Sequence, residues 1–246
     1  MHKTRQSLTV TLTLGLLSAL GSGATLAADS AAPVKIGIIG TGKIGSALAR
    51  AWVKAGHEVF VSSDHPEKLQ SLVAELAPHA QAGTPRQAAA FGTVILVSIP
   101  YSAMPQIGTD LRSELAGKVI LDTSNPVERR DGTMALEAQK KGAGIATAEL
   151  LHSKRVVRVF NCIGAPSLAS DGFRKPLQLA IPIGADDAQA LKVAERLVSE
   201  IGFDPVVIGS LARTRVFDLG EPLASAGLGG LTAAELRSKA AQLTAP

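Results

Sequence analysis

Apolar runs and helical spacings alternate along the chain from Val34 onward. Val34–Ile39 is rich in β-branched residues and predicts a strand that stops at Gly40. Ser46–Lys54 follows, with Ala47, Leu48, Ala51 and Trp52 at helical spacing. Gly56 suits its end, and Glu58–Val61 predicts a second strand. Pro66–Leu76 predicts a helix with Leu69, Leu72, Val73 and Leu76 inward. A weak third strand is expected at Ala80–Ala82, then a short alanine-rich helix from Thr84 or Pro85 to Ala90. Thr93–Ile99 is continuously apolar, as in a strand covered on both faces. Val119–Asp122 and Val156–Phe160 predict a fifth and a sixth strand, with a polar helix at Thr133–Lys141 between them.

The alternation continues without a clean break. Leu177–Ile183 is strand-like, and Pro182 inside it favours a sheet edge or a strand end. Asp186 and Asp187 open a strongly periodic helix, Ala188–Ile201, where acidic residues suit the N-terminus. Asp204–Ile208 is a short strand. Ser210–Leu219 and Leu231–Ala241 read as helical, separated by Gly220–Gly230. The fold class is α/β: a Rossmann-type, doubly wound, mostly parallel sheet with a small C-terminal α/β lobe.

The first residues break this pattern. Met1–Gln6 carries His2, Lys3 and Arg5, Leu8–Leu20 is apolar, and Ser22–Ala28 is rich in small residues. That order predicts a Sec-type signal peptide over 1–28, cut after Ala27 or Ala28, and hence a periplasmic or secreted protein. A retained anchor is the alternative for the segment, and a misassigned start codon with a cytoplasmic protein is the alternative for the location. Residues 29–33 read as a linker, 34–154 as the dinucleotide-binding domain and 155–246 as the C-terminal lobe. After leader cleavage no stretch is apolar enough to span a membrane.

Composition narrows the classes. Of the 246 residues 46% are hydrophobic but only 3% aromatic, so the core is aliphatic. Lys and Arg number 25 against 21 Asp and Glu, and no basic run points to nucleic acid. One cysteine, Cys162, excludes an intrachain disulfide and any multi-Cys metal site. The five histidines form no ligand-like cluster, and no metal is expected. Cys162 is read as a buried apolar residue rather than a catalytic thiol. His57 is read as structural and Trp52 as packing.

The chemistry begins at Gly40, Gly42 and Gly45, directly after a strand and opening a helix. In this context GxGxxG is a dinucleotide fingerprint. Gly40 permits the turn, Gly42 lets backbone approach a pyrophosphate, and Gly45 allows close helix–strand packing. Thr41, Lys43 and Ile44 would supply loop amides beside the helix N-terminus. Asp64, 24 residues past Gly40, stands where an acid binds the adenosine ribose and would repel a 2′-phosphate. Ser63, His65 and Lys68 could instead recognise that phosphate, and Asp64 could simply cap the helix at Pro66. Other strand ends fall near the nicotinamide half: Ser98, Ile99, Pro100 and Asn125. Tyr101 either lines the site or caps the next helix, and Asn125 either binds a carboxamide or ribose or makes an Asn-Pro turn.

The segments IGIIGTGKIGSALARAWVKAGHEV, SSDHPEKL, TVILVSIPY, VILDTSNPVERRDG, VVRVFNCIGA, IPIGADDAQALKVAERLVSEIGFDPVVIGSL and EPLAS together resemble the coenzyme F420-dependent NADP oxidoreductase family. The arrangement is also similar to the cytoplasmic reductase domain of the STEAP metalloreductases. The resemblance implies a Rossmann domain plus a small lobe forming a deazaflavin cleft. It implies the glycine loop for pyrophosphate, Ser62–Lys68 for the 2′-phosphate and Ser98–Pro100 near the nicotinamide. It also implies a cleft floor from Asn161, Ile163, Gly164 and Ala165. Asp64 departs from the family's usual arginine, so NADP and NAD both stand as cofactors.

The expected function is an NAD(P)-dependent oxidoreductase passing hydride to a flat small-molecule acceptor, F420 or a flavin-like ring, with no obligatory general acid. A non-catalytic NAD(P)-binding redox sensor and an imine or ketone reductase of the pyrroline-carboxylate reductase type are the alternatives. A homodimer is compatible with the sequence.

Overall fold

The computed structural model describes residues 32–224 and 230–243, and the chain from Pro33 onward forms one compact unit. The predicted leader lies outside the described residues. Among the described residues eight strands make one sheet: β1 Lys35–Ile39, β2 Glu58–Ser62, β3 Ala80–Gly83, β4 Val94–Val97, β5 Val119–Asp122, β6 Val156–Arg158, β7 Ala180–Ala185 and β8 Asp204–Gly209. Their order is β3-β2-β1-β4-β5-β6-β7-β8. Only β6 and β7 pair antiparallel; the other neighbours are parallel. The order reverses between β1 and β4, and the crevice at that switch point is where this architecture places ligands.

The continuous apolar character of the central strands has the expected cause. β4 and β5 are buried at every position because helices cover both faces. The helix α1, Lys43–Lys54, turns Leu48 and Trp52 fully inward. The Trp52 ring stands edge-on to Phe160, centroids 6.3 Å apart. Its Nε1 donates to the Leu197 carbonyl at 3.1 Å, tying α1 to the helix Ala188–Glu200. His57, also buried, accepts from the Val34 amide through Nδ1 and meets Glu200 through Nε2 at 2.8 Å. Both residues are structural.

Local chemistry sets the ends of elements. The predicted helix at Pro66 begins as a 3₁₀ turn, Pro66–Leu69, and becomes α-helical over Gln70–Leu76. Thr84 opens the helix Pro85–Phe91 with a capping box to Gln87. Asp187 caps Ala188–Glu200 by accepting from the Ala190 amide, while Asp186 accepts from the Leu211 amide. The segment expected to be helical at Ser210–Leu219 is a 3₁₀ helix, Leu211–Phe217.

One expectation is corrected. Pro182 marks neither an edge, because β7 lies between β6 and β8, nor a strand end, because it lies inside Ala180–Ala185. The short β6 pairs only with Gly184 and Ala185, so proline's missing N–H interrupts no rung on that side. No helix among the described residues is long and apolar enough to cross a membrane.

Candidate functional site

The glycine loop sits at the carboxyl end of β1, beside β4. Gly40 adopts a positive φ of 92°, and a Cβ there would lie 2.3 Å from the Ser98 carbonyl oxygen. A Cβ at Gly45 would lie 2.3 Å from the Gly40 carbonyl oxygen, so α1 reaches the loop only with glycine there. Gly42 differs: nothing lies within 4 Å of its absent side chain. The fold does not require that glycine, whereas a close-lying ligand would. Gly42 is the N-cap of α1, and no side chain caps it. The first-turn amides of Lys43, Ile44 and Gly45 therefore face outward with the positive end of the helix dipole.

Thr41 is a correction. Its amide donates to the Ser62 carbonyl at 3.1 Å and its hydroxyl to the same oxygen at 2.9 Å. Both donors are spent pinning the loop to β2, so Thr41 shapes the cradle without supplying an amide to it. At the end of β2, Ser63 is half-buried and Asp64, His65 and Lys68 are exposed. Ser63 Oγ accepts from the His65 amide at 3.1 Å. The turn Pro66–Leu69 has no side-chain cap, so Asp64 does not cap it. Its carboxylate is free among the described residues, beside the expected ribose.

Ser98 and Ile99 are half-buried and lie directly against Gly40, and Pro100 after them is exposed. Tyr101 is fully buried, with its hydroxyl 3.4 Å from both the Ala143 carbonyl and Thr147 Oγ1. Burial pushes its phenol well above the usual range, against the hydrogen bond from Thr147. Tyr101 thus supports the helices behind β4 and does not line the cleft; nor does it cap the next turn, Tyr101–Ala103, whose N-cap is Pro100, so neither alternative offered by the sequence holds.

The ends of β5 and β6 hold a feature the sequence reading missed. Arg158, fully buried, donates from Nη1 to Asp122 Oδ2 at 3.0 Å and to the Ser124 carbonyl. Its Nη2 reaches Asn125 Oδ1 at 3.1 Å and Asp218 Oδ1 at 3.0 Å, and Nε reaches Asp218 Oδ1 at 3.2 Å. Asp122 also accepts from the Ser124 amide and Thr147 Oγ1. Burial pushes the Asp122 carboxyl up, opposed by Arg158 and these hydrogen bonds. Arg158 itself is held above its usual range: burial opposes its charge, and the two carboxylates outweigh it. A lone cation in the apolar string VVRVF was the available signal, because a charge in a buried strand needs partners.

Asn125 is a further correction. Its Oδ1 receives Arg158, and its Nδ2 donates to the Asn161 carbonyl at 2.7 Å, so its side chain braces the site from within. Asn161 is buried, and its Nδ2 donates to the Phe217 carbonyl at 2.8 Å. Two buried polar atoms here have no partner, Ser124 Oγ and Asn161 Oδ1. Together with the open Gly42 they show that the residues present fit a nicotinamide dinucleotide: a cradle for phosphates and unspent polar atoms at the next strand ends.

Cys162, Ile163 and Gly164 line a cavity of about 320 Å³ with Ser167, Asp171, Arg174 and Ile181. Burial pushes the Cys162 thiol up to about 12, so it stays protonated. Ala165 instead faces a larger groove, about 750 Å³, that runs along α1 from Gly42 to Ala55. That groove starts at Gly42 and follows the helix, whereas the smaller cavity takes in Ile163 and Gly164 of the expected cleft floor.

Comparison with known proteins agrees with this geometry. The family described as NADP oxidoreductase, coenzyme F420-dependent, matches residues 35–126. The chain is 32% identical over 187 residues to Metalloreductase STEAP3 of Rattus norvegicus, covering 74% of this chain and 35% of that protein. It is 28% identical over 204 residues to the F420-dependent NADP reductase of Methanothermobacter thermautotrophicus, covering 77% of this chain and 87% of that one. The chain thus spans about a third of the STEAP relative and most of the archaeal reductase. Among solved structures, the hypothetical protein SMa0349 from Sinorhizobium meliloti superposes with a TM-score of 0.68 at 26% identity, covering 79% of this chain and 94% of that one. The resemblance read from the sequence and the Rossmann-type fold both stand.

Proposed function

We propose that this chain, a nicotinamide-dependent oxidoreductase by fold and kinship, carries hydride between NADP and a second flat ring, a deazaflavin of the F420 kind or a flavin. One observation carries the reading: an open phosphate cradle at Gly42–Gly45 and unspent buried polar atoms at Ser124 and Asn161 follow the carboxyl ends of strands in one mostly parallel sheet. The archaeal relative, an F420-dependent NADP reductase matched over most of its length, supports the choice of acceptor.

A bound nicotinamide supplies two electrons and a proton equivalent as hydride from its ring, and the acceptor takes the hydride with one further proton from water. The protein's part is placement. The amides of Lys43, Ile44 and Gly45 hold phosphate, with Thr41 keeping the loop on β2. Ser98 and Ile99 close the side of the crevice against Gly40. Arg158 and Asn125 hold the ends of β5 and β6 in register. Such positioning, rather than acid–base chemistry, accounts for the rate of a direct hydride step.

The test is a spectrophotometric screen of NADH and NADPH against F420, free flavins and ferric chelates. Oxidation of NADPH with F420 or flavin supports the reading. Tight nucleotide binding with no transfer to any of them overturns it in favour of a sensor.

A further inference from the structure

The geometry points to Arg158 as a positioning residue that decides which hydrogen-bonding group the ring site accepts, an inference resting on the nucleotide reading above. A guanidinium has donors only. The atom of Asn125 facing Arg158 Nη2 at 3.1 Å must therefore be the oxygen. That orients Asn125 Nδ2 toward the Asn161 backbone carbonyl, which only accepts, at 2.7 Å. Asn161 is set in the same way. Its Nδ2 donates to the Phe217 carbonyl at 2.8 Å and, at 3.5 Å, to Asn125 Oδ1, the same oxygen that Arg158 holds in place. Asn161 Oδ1 is then left without a partner, although the residue is only 9% exposed.

The polarity runs one way, from a fixed cation through two amides, and ends on an acceptor. A neutral amide can be turned over at little cost, but these two cannot: Asn125 faces a group of fixed sign at each end, and the nitrogen of Asn161 faces two acceptors. Ser124, 4% exposed, is held by the same cation through its backbone carbonyl, and its hydroxyl is also unpartnered. The backbone that carries Asn161 adds a second sign of design. Phe160, immediately before it, holds a left-handed φ of 58°, a conformation that bulky residues adopt only where the surroundings impose it. The strand ends thus offer one acceptor and one hydroxyl. The matching ligand group is a primary carboxamide, whose N–H₂ meets Asn161 Oδ1 and whose carbonyl can take the Ser124 hydroxyl. A methyl ketone or a carboxylate in the same place leaves the acceptor unmet or opposed.

The experiment is calorimetric titration of the whole chain with whichever of NADP⁺ and NAD⁺ binds tighter. The comparison ligands are its 3-acetylpyridine and nicotinic-acid counterparts. The parent nucleotide should bind at least about tenfold tighter than either, since a site built around a hydrogen bond rejects analogues that lack it. Arg158→Lys, which keeps a donor-only cation, should retain part of the preference. Arg158→Gln, which can present either sign, should reduce it to about twofold or less. Asn125→Ala interrupts the relay at a half-buried position and should have the same effect, and it serves if Arg158→Gln does not fold. Equal wild-type binding of the three ligands overturns this inference and leaves the nucleotide reading intact. Full retention of the preference in Asn125→Ala overturns it too. Binding of none of them overturns the nucleotide reading itself.

Discussion

Asp218 Oδ1 accepts both Nε and Nη2 of Arg158, at 3.2 and 3.0 Å, across 60 residues of sequence. Its other oxygen accepts the Ala143 amide at 2.9 Å. One carboxylate thus joins β6, the start of the helix Ala143–Leu150 and the turn after Phe217. Removing it would leave a buried cation short of one partner. Asp218→Ala should therefore cost about 3–5 kcal/mol of stability, and Asp218→Asn, which keeps an acceptor, distinctly less. Urea denaturation of both variants decides it; near-equal losses would mean that the retained acceptor contributes nothing and that the lost charge accounts for the whole effect.

Asp131 makes a pH-dependent contribution. Burial pushes its carboxyl up. Hydrogen bonds from Arg130, the Val127 amide and the Ser102 amide outweigh that and bring it down to about 2. A carboxyl whose pKa is lower in the folded state stabilises the fold above its unfolded pKa and stops doing so as pH falls through the folded one. The window is therefore about pH 4 down to about 2. The size is about 1–2 kcal/mol, because Arg130 is largely exposed and its charge is screened. Asp131→Asn should flatten the stability curve in that window and leave its shape at neutral pH unaltered. A variant curve parallel to wild type between pH 4 and 2 would refute the assignment.

The glycines separate fold from ligand. Gly45→Val would drive a side chain into the Gly40 carbonyl, where even a Cβ stands at 2.3 Å, and should cost about 3 kcal/mol or more. Gly42→Val meets nothing and should cost about 1 kcal/mol, from the poorer helix cap. Yet Gly42→Val should weaken nucleotide binding at least tenfold, about 1.4 kcal/mol, by holding the pyrophosphate off the α1 amides. Thermal melts paired with calorimetry read both effects. Undiminished affinity in a folded Gly42→Val protein would remove the cradle from the site.

The legible parts of this molecule were those written in neighbouring residues. Runs such as Val94–Val97 announce a doubly covered strand because burial on both faces leaves no polar position. The roles of Gly40 and Gly45 follow from spacing alone, and the contacts agree. The Arg158 cluster was illegible because its partners Asp122 and Asp218 lie 36 and 60 residues away, and nothing local says which strand ends will meet. Asn125 and Tyr101 misled for a related reason. Each has a polar atom at a strand end, but the tertiary structure satisfies it from inside: Asn125 through Arg158 and Asn161, Tyr101 through Ala143 and Thr147. The unsatisfied atoms, at Ser124 and Asn161, could be identified only after those partners had been assigned.

Asp64, exposed at the end of β2, is the residue on which the choice between the two nucleotides is expected to turn. Its carboxylate is exposed and unpaired among the described residues, with Lys68 exposed on the same loop. A 2′-phosphate placed there meets one unfavourable and one favourable charge, so wild type should discriminate weakly between NADPH and NADH. Asp64→Arg replaces repulsion by attraction. At an exposed site that exchange is worth about 1–2 kcal/mol, which is about 10-fold or more in the ratio of NADPH to NADH affinity, and it should shrink as salt is raised. Lys68→Ala should move the ratio the other way by a smaller factor. Dissociation constants for both nucleotides, measured at low and at high ionic strength, supply the comparison. A ratio that stays constant in Asp64→Arg would mean that the carboxylate points away from the ribose and that selectivity is set elsewhere on the loop.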